Sequence, residues 1–125
     1  MAKIVVAEDD KLISSSLCEA LTAQGHEPTP AYDGVEALAK IGEVSPDLVL
    51  LDIMMPKMDG ISVLGQLRAN SATAETPVIV LTNVGDVDTI GKIVSAGASD
   101  YLLKSDQSVD DITAKISDVL ARKKS

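Results

Sequence analysis

Leu48-Val49-Leu50-Leu51-Asp52 is a run of four aliphatic residues that ends in a carboxylate, followed by the irregular segment Ile53-Met54-Met55-Pro56-Lys57-Met58-Asp59-Gly60. Four apolar residues without polar alternation read as a strand buried on both faces, the mark of a parallel sheet covered by helices. In such sheets ligands gather at the carboxyl ends of the strands, where Asp52 falls. Taken alone, Asp52 reads better as the opening of a turn. Its meaning depends on what else reaches the same rim.

The pattern recurs along the chain. Ile4-Val5-Val6-Ala7 ends in Glu8, Asp9 and Asp10, and Val78-Ile79-Val80-Leu81, opened by Pro77, ends in Thr82. Asp100-Tyr101-Leu102-Leu103-Lys104 is a further short strand. The stretch His26 to Tyr32 is the weakest, because Pro28 and Pro30 lack amide hydrogens. Being two apart, both missing donors point to one side, which predicts an edge strand with residues 27, 29 and 31 facing its neighbour.

Helical spacing fills the intervals. Ile13, Leu17, Ala20 and Leu21 mark a first helix closed by Gly25. Asp33 caps a second, with Glu36 three residues on and Val35, Leu38 and Ile41 as its apolar stripe. Ile61, Leu64 and Leu67 mark a third, followed by a polar loop over residues 71–76. A fourth, over residues 86–96, shows Val87, Ile90 and Val94, with Gly91 inside and Gly97 at its end. The internal glycine costs about 1 kcal/mol relative to alanine, so this helix is expected to be the least stable. The last starts at Ser108, has Asp111 three residues on, and buries Val109, Ile112, Ile116, Val119 and Leu120. Five strands alternating with five helices argue for a three-layer α/β/α sandwich with a parallel sheet and right-handed crossovers.

With 125 residues the chain is read as one domain, 1–125, without a separate output module. Phe and Trp are absent, so the core must be aliphatic. A formal net charge of −8 repels phosphate backbones, and two tyrosines offer little to stack on bases, which disfavours direct nucleic-acid binding. Cys18 is the single cysteine, a small half-buried helix residue that fits a reducing compartment. No basic-then-apolar leader and no span of membrane length is present, so a cytoplasmic protein without membrane attachment is expected. Arg122-Lys123-Lys124 suits a helix C-terminus, where cations complement the dipole.

If the sheet is parallel, Glu8 and Asp9, Asp52, Thr82 and Lys104 share one rim. Three carboxylates together are electrostatically costly unless a cation lies between them, and oxygen ligands with room for water suit magnesium. A carboxylate beside such a metal can attack a phosphoryl group to form an aspartyl phosphate, with an ammonium neutralising the transferred oxygens and a hydroxyl donating to one of them. Asp52 would be the nucleophile, Lys104 the ammonium and Thr82 the hydroxyl. Each residue has an ordinary structural explanation, but such residues at four strand ends together are a specific combination.

These residues, with Leu-Asp-Ile-Met-Met-Pro at 51–56, Asp59-Gly60 and Tyr101, resemble the receiver domains of two-component response regulators along the whole chain, the single-domain chemotaxis type included. The resemblance implies the flavodoxin-like strand order 2-1-3-4-5. It implies magnesium held by Glu8, Asp9, Asp52 and the carbonyl of Met54. It also implies a phosphoryl group arriving at Asp52 from a phosphohistidine on a histidine kinase or phosphotransfer protein, followed by slow self-catalysed hydrolysis. The chain would thus be a signalling phosphoacceptor rather than a conventional enzyme. Thr82 and Tyr101 would act as switch residues that alter the face of helix four, strand five and helix five toward a downstream protein target.

Two positions depart from the pattern. Ser105 stands where receivers usually have proline, and a trans bond with a differently shaped loop is expected there. Asn83 is larger than the usual small residue, and so either narrows access or hydrogen-bonds near the phosphoryl group. Rival readings fit less well. A haloacid-dehalogenase-type enzyme needs a second acid where Met54 stands, and a flavodoxin relative would find its phosphate repelled by Glu8-Asp9-Asp10. A phosphorylation-independent adaptor on the same fold predicts a missing phosphoacceptor or lysine, and both are present.

Overall fold

The aliphatic runs become the strands that their lack of alternation predicts. The computed structural model describes residues 2–83 and 85–124, without the side chains of Lys123 and Lys124. Strands β1 (Lys3–Ala7), β2 (Glu27–Ala31), β3 (Leu48–Asp52), β4 (Val78–Thr82) and β5 (Asp100–Leu103) alternate with helices α1 (Lys11–Ala23), α2 (Gly34–Val44), α3 (Gly60–Ala69), α4 (Val87–Ser95) and α5 (Val109–Lys124). The strands pair in parallel in the order β2-β1-β3-β4-β5.

Period-two alternation splits each run between two cores. Val5, Ala7, Val49, Leu51, Val78 and Val80 pack against α2, α3 and α4 through Ala37, Ile41, Val63, Leu64 and Ile93. Ile4, Val6, Leu48, Leu50, Ile79 and Leu81 pack on the other face against Leu17 and Leu21 of α1 and Ile112, Ile116 and Val119 of α5. With both faces covered, no position on β3 or β4 is left for a polar residue until the strand ends.

β2 is an edge strand, as its prolines require. The Glu27 amide donates to Ala2 O and the Glu8 amide to Ala31 O, both at 2.9 Å, so the odd positions face β1 and the prolines face outward. Gly25, at φ 88°, closes α1 in the left-handed conformation that glycine adopts without penalty.

Four helices begin on an aspartate at one rim. Asp10 accepts from the Leu12 and Ile13 amides, Asp33 from Glu36, Asp59 from Ser62 and Asp86 from Thr89. The α2 cap is doubled, because the Glu36 carboxylate accepts the Tyr32 amide at 2.7 Å. At α5 Ser108 and Asp111 exchange side-chain-to-amide bonds in a reciprocal capping box.

Several expectations need correction. Val35 is exposed, and α2 instead packs Gly34, Ala37 and Ile41 inward. A Cβ at Gly34 would lie 2.7 Å from the Met58 carbonyl carbon, and this close approach fixes which face of α2 turns to the sheet. On α4, Val87 is 86% and Val94 59% exposed, whereas Ile93 is fully buried. The nine-residue helix carries apolar residues on adjacent faces, and the sheet takes the one centred on Ile93. His26, which after the helix-ending Gly25 reads from the sequence as an exposed turn residue, is half-buried, and its Nδ1 accepts the Ala2 amide at 3.2 Å. β5 stops at Leu103, and Lys104 opens a 3-10 turn over Lys104–Asp106. Among the described residues every peptide bond is trans, including that before Ser105, and no helix is long and apolar enough to cross a membrane.

Candidate functional site

Register determines which side chains meet. Ala7 pairs with Leu51, Asp52 with Leu81, and Thr82 with Leu103. Glu8, Asp52, Thr82 and Lys104 therefore follow one another across the same rim. Alternation sorts them further. Glu8, Asp52 and Lys104 continue the rows of Val6, Leu50 and Leu102, on the side of α1 and α5, while Thr82 continues the row of Val80 on the side of α2 to α4. Tyr101 pairs with Val80 and is half-buried against that second core, so it shares a face with Thr82.

Glu8, Asp52 and Thr82 are buried, and Asp9 is exposed at the mouth. One carboxylate oxygen from each of Glu8, Asp9 and Asp52 lies within 4.8 Å of the others, a spacing that one small cation can span. Lys104 Nζ reaches over them, 3.1 Å from Asp52 Oδ2 and 2.5 Å from Glu8 Oε1. The bond to Asp52 is well directed, whereas the contact with Glu8 is an ion pair off the hydrogen-bonding direction, so buried Glu8 Oε1 keeps an acceptor lone pair without a directed donor. Glu8 Oε2 accepts the Asp10 amide at 3.0 Å, and Asp52 Oδ1 the Met54 amide at 3.2 Å.

The electrostatics follow from this crowding. Burial, aided by the Asp52 carboxylate and opposed by Lys104, pushes the Glu8 carboxyl up to about 7. Burial alone would lower the Lys104 ammonium, but its ion pair with Glu8 and its hydrogen bond to Asp52 outweigh that and hold it above the ordinary lysine range. Two buried carboxylates and an acceptor with no directed donor form an oxygen-only set short of positive charge, which matches a hard divalent cation that keeps some of its water.

The backbone is built to bring this about. Gly60, the first residue of α3, lets the helix N-terminus sit on the end of β3, since a Cβ there would lie 2.7 Å from Ile53 Cα. Asp10 caps α1 and through its amide orients Glu8. Neither was singled out for this role by sequence reasoning; the Asp59-Gly60 pair was the available signal for the first. Met54 is exposed beside Asp52, and Asn83 is exposed just beyond Thr82. The structure thus brings Glu8, Asp9, Asp52 and Lys104 into one cup, and places Thr82 and Tyr101 on neighbouring strand positions across the sheet face.

Residues 4–117 match the family described as the response regulator receiver domain. The response regulator MprA of Mycobacterium avium is 38% identical over 122 residues, which cover 98% of this chain and 52% of that protein. The DNA-binding dual master transcriptional regulator RpaA of Synechocystis sp. is 34% identical over 98% of this chain and 50% of that protein. The chain spans about half the length of the curated relatives it matches. Among solved structures, the receiver domain of the Francisella response regulator 1452 superposes with a TM-score of 0.90 at 33% identity, covering 98% of this chain and 99% of that one.

Proposed function

The chain belongs to the response regulator receiver domain family of two-component systems, and from that premise we propose that it takes a phosphoryl group onto Asp52 from a phosphohistidine on a histidine kinase or phosphotransfer protein. The observation that carries this reading is the convergence of Lys104 on Asp52 and Glu8 at the end of β3. Asp52 Oδ attacks phosphorus while the P–N bond to the donor imidazole breaks; the imidazole takes back a proton, and the phosphoryl group stays on the carboxylate.

Lys104 exchanges its bond to the free carboxylate for one to a phosphoryl oxygen, which places a fixed cation where charge accumulates. Glu8, Asp9, Asp52 and the Met54 carbonyl would hold magnesium, which when bound supplies further positive charge to the equatorial oxygens. Thr82 donates its hydroxyl to another oxygen of the group. That reorientation frees room on the face it shares with Tyr101, and the α4, β5 and α5 surface changes toward a downstream protein. Hydrolysis by an in-line water then returns the carboxylate, slowly, because no general base is assigned to activate that water.

The test is to incubate the protein with magnesium and acetyl phosphate and follow intact mass. Gain of one alkali-labile phosphoryl group, absent in Asp52→Asn, is the expected result. An unchanged wild-type mass would overturn the proposal in favour of a phosphorylation-independent adaptor.

A further inference from the structure

Arg68, in the last turn of α3, is a half-buried cation whose described hydrogen bonds all go to backbone carbonyls. Nε donates to Gly97 O at 3.0 Å, and Nη1 reaches Thr73 O and Ala74 O at 3.2 Å and Thr76 O at 2.7 Å. These acceptors lie in the α3–β4 and α4–β5 connections, at the rim opposite Asp52. One guanidinium therefore ties the C-terminal end of α4 to the loop that enters β4.

The rest of that end is equally fixed. Gly97 sits at φ +101° with Arg68 Cγ and Nε 3.0 Å from where a Cβ would stand, so the two residues are fitted to each other. Ser99 pairs with Val78 in both directions, amide to carbonyl at 2.8 Å and amide to hydroxyl at 3.1 Å. Ile93 is fully buried, and its carbonyl accepts the Ala98 amide.

At the opposite end of α4 the described capping bonds lie within the helix, and Gly85 just before it packs against the Leu103 side chain. Asp86 accepts from the Thr89 amide and hydroxyl, bonds that travel with the helix. Asp86, Val87, Asp88 and Gly91 are exposed, and nothing lies within 4 Å of a Cβ built at Gly91. This loose end is also the one that follows Thr82 at the site rim.

We propose that Arg68 is a positioning residue that anchors α4 at its C-terminal end alone and so makes the helix a lever. Residues 86–91 swing when Asp52 carries a phosphoryl group, and 93–99 are the pivot. The swing moves Val87 and Ile90 relative to Val94, and thereby changes the apolar stripe offered to a protein partner. The anchor stands on the unmodified structure; the lever rests on the phosphoacceptor reading.

Amide hydrogen exchange of the whole chain tests the anchor, with Arg68→Met and the milder Arg68→Lys as variants. A charge-assisted bond is lost, so the amides of 96–99 should exchange about tenfold to a hundredfold faster. Amides of β1 and β3 should keep their rates. Protection of 96–99 within about threefold of wild type, in a folded variant, would overturn the anchor. The lever is read from backbone chemical shifts before and after adding beryllofluoride with magnesium. Wild type should respond at 86–91 and stay constant at 93–99, whereas in Arg68→Lys the response should spread into 93–99 at unchanged affinity for the mimic. A wild-type response as large at 93–99 as at 86–91 would overturn it. A protein that takes no mimic would sink the phosphoacceptor reading and the lever together, leaving the anchor to stand or fall on exchange.

Discussion

Lys104 Nζ lies 3.1 Å from Asp52 Oδ2, although the two residues are 52 positions apart, one ending β3 and the other opening the 3-10 turn after β5. The parallel order, with β4 between β3 and β5, brings a lysine just past β5 back across the end of β4 to Asp52 and Glu8. Among the described residues the ammonium is the cation that reaches the cup, so its removal should affect the transfer far more than the fold. Lys104→Met should slow phosphoryl uptake from acetyl phosphate by about 10²-fold or more, the scale on which a preorganised transition-state donor is lost. Initial rates of mass gain at saturating magnesium measure this. A variant within threefold of wild type would remove Lys104 from the mechanism.

The same cup should couple magnesium to stability. Glu8, Asp9 and Asp52 come together only in the folded chain, so a cation bound there stabilises the native state by mass action. At magnesium one hundred times its dissociation constant, the gain should be about 2.7 kcal/mol. Urea unfolding with and without magnesium checks this, with Asp9→Asn as the informative variant because Asp9 is exposed and its loss should hardly disturb packing. Wild type should gain stability from magnesium and Asp9→Asn much less. Equal gains would show that binding occurs elsewhere.

The parts of this molecule that were legible in the sequence are those written as unbroken patterns. Val78-Ile79-Val80-Leu81-Thr82 could only be a doubly covered strand, and the prolines at 28 and 30 could only be tolerated at an edge. The acids, hydroxyl and lysine at strand ends were readable because a parallel sheet places all such ends on one rim. Helix faces were less legible. In α4 the stripe Val87, Ile90, Val94 satisfies helical spacing as well as Ile93 does, and only tertiary packing chooses between them. Arg68 was invisible for a different reason. It recognises backbone carbonyls, which every residue has, so no pattern of residue types announces it.

Two glycines on either side of Ile93 should respond in opposite ways to the same substitution. Gly91 is exposed, lies inside α4 and has free space where a Cβ would stand. Gly91→Ala should therefore stabilise the chain by up to about 1 kcal/mol through helix propensity and a less disordered unfolded state. Gly97 is at φ +101° and meets Arg68 at 3.0 Å, so Gly97→Ala should destabilise by more than about 1 kcal/mol. Urea midpoints at constant slope decide both. Stabilisation by Gly97→Ala would mean that the α4–β5 turn is not held as described.

Acid should weaken the ion pairs that Asp100 makes at the distal end of the sheet. Asp100 is partly buried, and its depressed pKa arises against the opposing effect of burial, through the Lys115 bond at 3.1 Å, the Tyr101 amide at 2.8 Å, and Arg122 at 3.6 Å. A carboxyl whose folded pKa lies below its unfolded value adds stability that is fully present above the unfolded aspartate pKa, about 3.9, and is lost as the pH falls through the folded value. Arg122 is more than half exposed and Lys115 about a third, so screening keeps the contribution near 0.5–1 kcal/mol. Asp100→Asn should accordingly be less stable than wild type at pH 7 by that amount, and the two curves of stability against pH should converge as the pH falls through the folded value of Asp100. The difference should also shrink in 1 M salt, which screens the partly exposed ion pairs of Lys115 and Arg122. A gap between the two proteins that stays constant from pH 7 down to pH 2 would mean that Asp100 contributes by packing or by its amide hydrogen bond, and not by its charge.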